Sequence, residues 1–76
     1  MTRVLSLPNC VQCQMTKKKM DALGIPYEEV DMTTNPIAAD EARSLGYKSA
    51  PIVISESNHW SGFRPDLINS LALVPA

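Results

Sequence analysis

Both cysteines of the chain lie in one short stretch, Pro8-Asn9-Cys10-Val11-Gln12-Cys13-Gln14, three positions apart. Thiols at that spacing offer reversible disulfide exchange, part of a metal site, or simple apolar packing. Stability is a weak reason for the pair, because a bridge here closes a loop of only about four residues and removes little freedom from the unfolded chain. A structural zinc site needs four ligands. The two cysteines and the single histidine, His59, leave such a site incomplete unless water, a carboxylate or a second subunit contributes. Disulfide exchange fits more directly. Residues three apart in the first turn of a helix have Cα atoms about 5 Å apart, within disulfide range. At the helix start, free N–H groups and the positive end of the helix dipole favour a thiolate, which makes Cys10 the expected nucleophile. Cys13, turned toward the core, is expected to resolve the mixed disulfide formed on Cys10.

The elements that must position these thiols can be read from periodicity. Residues 2–7, TRVLSL, form an apolar strand candidate that Pro8-Asn9 interrupts just before Cys10. From Val11 to Leu23 the pattern is helical, with Cys13, Thr16, Met20 and Leu23 inside one arc of about 80° expected to face the core. Gln14, Lys17, Lys18 and Asp21 fall on the other side, and Gly24 marks the helix end. Val11, Met15 and Ala22 form a second apolar stripe beside the cysteines, open to a partner or to ordinary packing. Residues 26–31 alternate as a second strand. Asn35-Pro36 then opens a helix carrying Ala38, Ala42 and Leu45 on one side and ending at Gly46. Pro51 to Ile54 reads as a buried strand, His59-Trp60 as an edge strand, and Arg64-Pro65 as the start of a last helix. The order is β-α-β-α-β-β-α. Lys17, Lys18 and Lys19 read as a solvated helix surface, and His59 as a structural position without a catalytic role.

The 76 residues suit one domain, 1–76, and 45% hydrophobic with 20% charged residues describes a chain that folds around a core. A net charge of −1 provides no general attraction to nucleic acid or to an anionic membrane. No signal-peptide pattern and no apolar run of roughly 18 residues is present, so the expected location is the cytoplasm, where thiols stay reduced.

Cys10-Val11-Gln12-Cys13, Leu45-Gly46-Tyr47, Ala50-Pro51 and above all His59-Trp60-Ser61-Gly62-Phe63-Arg64-Pro65-Asp66 resemble the NrdH-redoxins, the glutaredoxin-like electron donors of class Ib ribonucleotide reductase. The resemblance spans essentially the whole chain. It implies a thioredoxin/glutaredoxin-like α/β fold, a four-stranded mixed sheet flanked by three helices, with a cis peptide at Ala50-Pro51 facing the cysteines. It further implies a thiol-disulfide oxidoreductase, expected as a monomer, that uses a redox-active Cys10–Cys13 disulfide and no bound cofactor or metal. Thioredoxin reductase and the large subunit of class Ib ribonucleotide reductase are the implied partners. Val11, Gln12, Ala50, Pro51, Trp60, Ser61, Gly62, Phe63 and Arg64 are expected to support the site or bind partners, with Trp60 or Phe63 as an exposed anchor. Glutaredoxins commonly have Cys-Pro-Tyr-Cys and a Gly-Gly turn before the last helix. Phe63 and Arg64 stand in that region here, which argues for a protein reductant over glutathione. A glutathione-dependent glutaredoxin and a metal-binding module bridged between subunits are the alternative readings.

Overall fold

A computed structural model describes residues 1–72. The elements run β1 (Thr2–Ser6), α1 (Val11–Ala22), β2 (Tyr27–Asp31), α2 (Pro36–Ser44), β3 (Ile52–Ile54), β4 (His59–Ser61) and α3 (Pro65–Ala72), in the expected order. The strands form one mixed sheet, β2-β1-β3-β4. Parallel β1 and β2 run from Thr2 opposite Tyr27 to Ser6 opposite Asp31, and β3 is antiparallel to both β1 and β4.

Alternation along the central strands sends neighbouring side chains to opposite faces and so produces two half-cores. Val4 and Val53 join Met20 of α1, Trp60 and Ile68 of α3 on one face. Leu5 and Ile52 join Ala38 and Ala42 of α2 on the other. Buried on both faces, β1 carries the consecutive apolar residues expected of a central strand.

Local chemistry sets the helix ends. Cys10 is the N-cap of α1, and Asn35 caps α2 by accepting a hydrogen bond from the Ala38 N–H at 3.0 Å, with Pro36 at the first turn. At the end of α1, the Ile25 N–H donates to Met20 O at 2.9 Å and the Gly24 N–H to Asp21 O at 3.1 Å. That reciprocal pair is a Schellman termination, and Ile25 packs with Met20 in the same half-core. It also overturns the expected place of Leu23. Leu23 caps the helix and is 40% exposed, because the chain turns away at Gly24 and Ile25 takes the inward position. Strand β1 stops at Ser6, one residue earlier than expected, leaving Leu7 exposed.

Candidate functional site: the cysteine turn and the loops beside it

Strand β1 delivers the chain to the top of the sheet, where Pro8 and Asn9 turn it into α1; Asn9 has a φ of 59°. This is left-handed backbone that asparagine tolerates better than most residues. The turn places Cys10 in extended conformation immediately before α1. Cys10 and Cys13 are joined in a disulfide with Cα atoms 5.2 Å apart. The two sulfurs have different surroundings. Cys10 is half-buried, and its Sγ accepts a hydrogen bond from the Cys13 N–H at 3.1 Å, whereas Cys13 is 1% exposed on the core arc. An N–H aimed at a helix N-cap sulfur stabilises negative charge there.

Two further segments converge on this turn. The Ala50–Pro51 peptide is cis, as expected. Pro51 O accepts from the Gly62 N–H at 2.8 Å, and Ser61 Oγ donates to Ser49 O at 2.7 Å, so β4 holds the proline loop. The Phe63 N–H in turn donates to Gln12 Oε1 at 3.1 Å. Gln12, between the two cysteines, thus connects α1 to the turn before α3, and that turn connects to Pro51. Arg64 is engaged with Asp66 through both Nε and a terminal nitrogen, at 3.3 and 3.1 Å. The same Arg64 contact holds the Asp66 carboxyl below the usual carboxylate range.

Trp60 is not an exposed anchor. It is 4% exposed within the half-core of Val4, Met20, Val53 and Ile68, because the register of β4 opposite Val53 points the indole inward. Phe63 is half-buried against the same cluster. The exposed apolar groups near the cysteines are instead Leu7, Val11 at 72% and Met15 at 42%, while Ala22 is exposed further along α1.

Residues that the sequence pattern did not single out line the cleft of about 320 Å³ bordered by both cysteines. Glu29 of β2 accepts from Ser6 Oγ at 3.0 Å and is paired with Lys17 Nζ at 2.6 Å. Lys17 is half-buried rather than fully solvated. Its position four residues after Cys13 was the available signal, since i and i+4 share a helix face. The Lys17 ammonium holds the Glu29 carboxyl below its ordinary value. His59 Nδ1 lies 2.7 Å from the Tyr47 hydroxyl, a contact at the edge strand. Among the described residues no group of three or more His, Cys, Asp and Glu side chains is arranged to hold a metal ion, and no helix is long and apolar enough to cross a membrane.

The glutaredoxin family model matches residues 2–60. The glutaredoxin-like protein NrdH of Salmonella typhimurium strain LT2 is 45% identical over 67 residues, covering 88% of this chain and 83% of that protein. Its counterpart in Escherichia coli strain K12 is 42% identical over the same length and coverage. Among solved structures, the NrdH-redoxin of Escherichia coli, described as having a thioredoxin-like activity profile, superposes with a TM-score of 0.90 at 39% identity. That match covers 99% of this chain and 96% of the other. With a cysteine pair at the N-terminus of its first helix and a cis-proline loop tied to it, the chain belongs to the glutaredoxin family, among the NrdH glutaredoxin-like proteins.

Proposed function

We propose that this chain is a cytoplasmic, monomeric electron carrier built on one domain, residues 1–76, taking electrons from NADPH through thioredoxin reductase to the large subunit of class Ib ribonucleotide reductase. The observation that carries the reading is the asymmetry of the cysteine pair: Cys10 Sγ receives the Cys13 N–H at 3.1 Å, while Cys13 is 1% exposed. The reduced protein presents Cys10 as a thiolate. It attacks one sulfur of a client disulfide, that disulfide breaks, and the first client thiolate takes up a proton. Cys13 then loses its proton and attacks Cys10 Sγ. The mixed disulfide breaks, the second client thiolate leaves, and two electrons have passed to the client as Cys10–Cys13 closes. The dithiol of thioredoxin reductase reverses both steps, with NADPH as the ultimate donor and no group bound permanently to the carrier.

The turn before α3 supports a protein reductant. The Phe63 N–H is occupied by Gln12, and the Arg64 guanidinium is charge-paired with Asp66 through Nε and one terminal nitrogen, so the turn presents a compensated surface rather than one aimed at a small charged peptide such as glutathione. The thioredoxin-like profile described for the Escherichia coli NrdH-redoxin points the same way. The match to the glutaredoxin family model favours the alternative, a glutathione-linked glutaredoxin.

The test is covalent trapping with the oxidised ribonucleotide reductase large subunit. Cys13→Ser is expected to accumulate a mixed disulfide that mass spectrometry maps to Cys10, and Cys10→Ser to form none. Normal turnover by Cys13→Ser together with an adduct trapped on Cys13 in Cys10→Ser would reverse the roles.

A further inference from the structure

The connection from α2 to β3 carries the proline loop, yet its main chain is sparsely tied. The Tyr47 N–H donates to Ala42 O at 3.1 Å and closes the end of α2. Beyond it, among the described residues, the N–H groups of Lys48, Ser49 and Ala50 make no hydrogen bond, and neither does the Ala50 carbonyl. A stretch without main-chain partners keeps one course only through side chains, and here two side-chain contacts join it to β4.

Pairing of Trp60 with Val53 sends the indole to one face of the sheet and so turns His59 and Ser61 to the other. On that second face Tyr47 packs against the half-core of Leu5, Ala38, Ala42 and Ile52. Its hydroxyl lies 2.7 Å from His59 Nδ1 and donates to His59 O at 3.2 Å, and the two rings meet edge to face with centroids 5.6 Å apart. Nδ1 can accept from the hydroxyl or donate to it, so the contact holds with the imidazole neutral or charged. Ser61 Oγ then donates to Ser49 O at 2.7 Å, and the Gly62 N–H to Pro51 O at 2.8 Å. Residues 47, 49 and 51 are thus fastened in turn to 59, 61 and 62, and the Phe63 N–H carries the series on to Gln12 between the cysteines. His59 is exposed, so no buried polar group depends on the Tyr47 hydroxyl for a partner. What the contact fixes is the path of Lys48, Ser49 and Ala50, whose unpaired backbone groups offer an extended polypeptide main-chain partners.

We propose that the Tyr47 hydroxyl, fastened to His59, is a positioning group for protein clients: it holds Lys48 to Ala50 in the course along which a client polypeptide lies when its disulfide meets Cys10. The role rests on the reading of this chain as a carrier to protein disulfides. Neither Tyr47 nor His59 lines the cleft bordered by the cysteines, so neither is a catalytic residue. A small disulfide needs only the thiols and is indifferent to the segment.

Single turnovers of the reduced full chain, followed by rapid quenching and thiol alkylation, test this. The protein client is the oxidised large subunit of class Ib ribonucleotide reductase, and the small disulfide is 5,5′-dithiobis(2-nitrobenzoate). Tyr47→Phe keeps the ring and its packing and deletes only the hydroxyl. We expect its half-saturating client concentration to rise roughly fivefold, the cost of ordering a loosened segment on binding, with the rate at saturation and the small-disulfide reaction within about twofold of wild type. His59→Ala should show the same rise, and the double variant no more than either single one, because both substitutions remove one contact. A merely structural contact would lower the melting temperature without producing this split. Client saturation within about twofold of wild type in Tyr47→Phe, or effects that add in the double variant, would overturn the positioning role. So would an equal slowing with the small disulfide, which would place the effect on the thiols. Wild-type protein that reduces the small disulfide but not the large subunit would refute instead the reading of the chain as that client's carrier, and this role with it.

Discussion

Replacing Gly62 by alanine separates the part of the fold that merely holds together from the part that positions the site. Gly62 has a φ of 90°, and a Cβ added there would meet only Gln12 Oε1, at 3.5 Å, an ordinary contact. The cost is therefore backbone strain, about 1–3 kcal/mol for a side-chain-bearing residue in this region. For a domain of this size that corresponds to a melting temperature lower by roughly 5–20 °C. Gly24 provides the control. Its φ is 70° with nothing within 4 Å, so alanine there costs about 1–2 kcal/mol at a helix end that makes no hydrogen bond to the cysteine turn or the proline loop. The two differ in what relaxation would disturb. Any rotation that relieves strain at Gly62 reorients its N–H, bonded to Pro51 O at 2.8 Å, and the adjoining Phe63 N–H, bonded to Gln12 at 3.1 Å. Differential scanning calorimetry would be paired with insulin disulfide reduction under thioredoxin reductase. Both variants should melt lower, but only Gly62→Ala should slow exchange, by roughly fivefold or more, since small misplacements of reacting groups are costly. Equal exchange rates in the two variants, with Gly62→Ala destabilised as calculated, would show that the turn does not position the cysteines.

Further outcomes follow from other parts of the molecule. Ile68→Val removes one methylene from a fully buried site and should lower stability by about 0.5–1.5 kcal/mol in urea unfolding without altering exchange. Met15→Gln changes a 42% exposed residue on the helix of the cysteines and should raise the KM for thioredoxin reductase several-fold, leaving thermal stability and reaction with a small disulfide unchanged. Acid should destabilise the protein. The Arg3 guanidinium, hydrogen-bonded to Glu41, holds that carboxyl below its ordinary value, and Lys17 does the same for Glu29. The unfolded chain then binds more protons than the folded one. Stability present above the ordinary carboxylate value is lost as pH falls through the lower folded value, and Arg3→Gln should flatten that acid limb in melts recorded from about pH 6 to 3.

Much of this was legible in the sequence because local signals agreed with tertiary demand. Pro8-Asn9 before Cys10, Asn35-Pro36 before α2 and glycines after α1 and α2 marked ends that capping geometry then realised. The inward arc located Cys13, Thr16 and Met20 but extended one residue too far, since the periodicity of Leu23 carries no information about where the backbone leaves the helix. Trp60 was misplaced for a different reason. An edge strand of three residues has too short an alternation to reveal its inner face, which the pairing of Trp60 with Val53 decides. Of the Ser6–Glu29–Lys17 cluster only Lys17, four residues after Cys13, left a sequence signal; its meeting with Ser6 and Glu29 was not legible because β1, β2 and α1 bring together residues far apart in the chain, and a charged strand residue such as Glu29 reads by itself as solvated surface.

The central claim is that electrons reach this carrier from a protein dithiol, and NADPH oxidation measures it directly. Insulin or the ribonucleotide reductase large subunit would serve as acceptor, with thioredoxin reductase in one arm and glutathione plus glutathione reductase in the other. We expect fast turnover in the first arm, abolished in Cys10→Ser, and little in the second. Efficient turnover with glutathione and none with thioredoxin reductase would contradict the assignment and make the protein a glutathione-linked glutaredoxin.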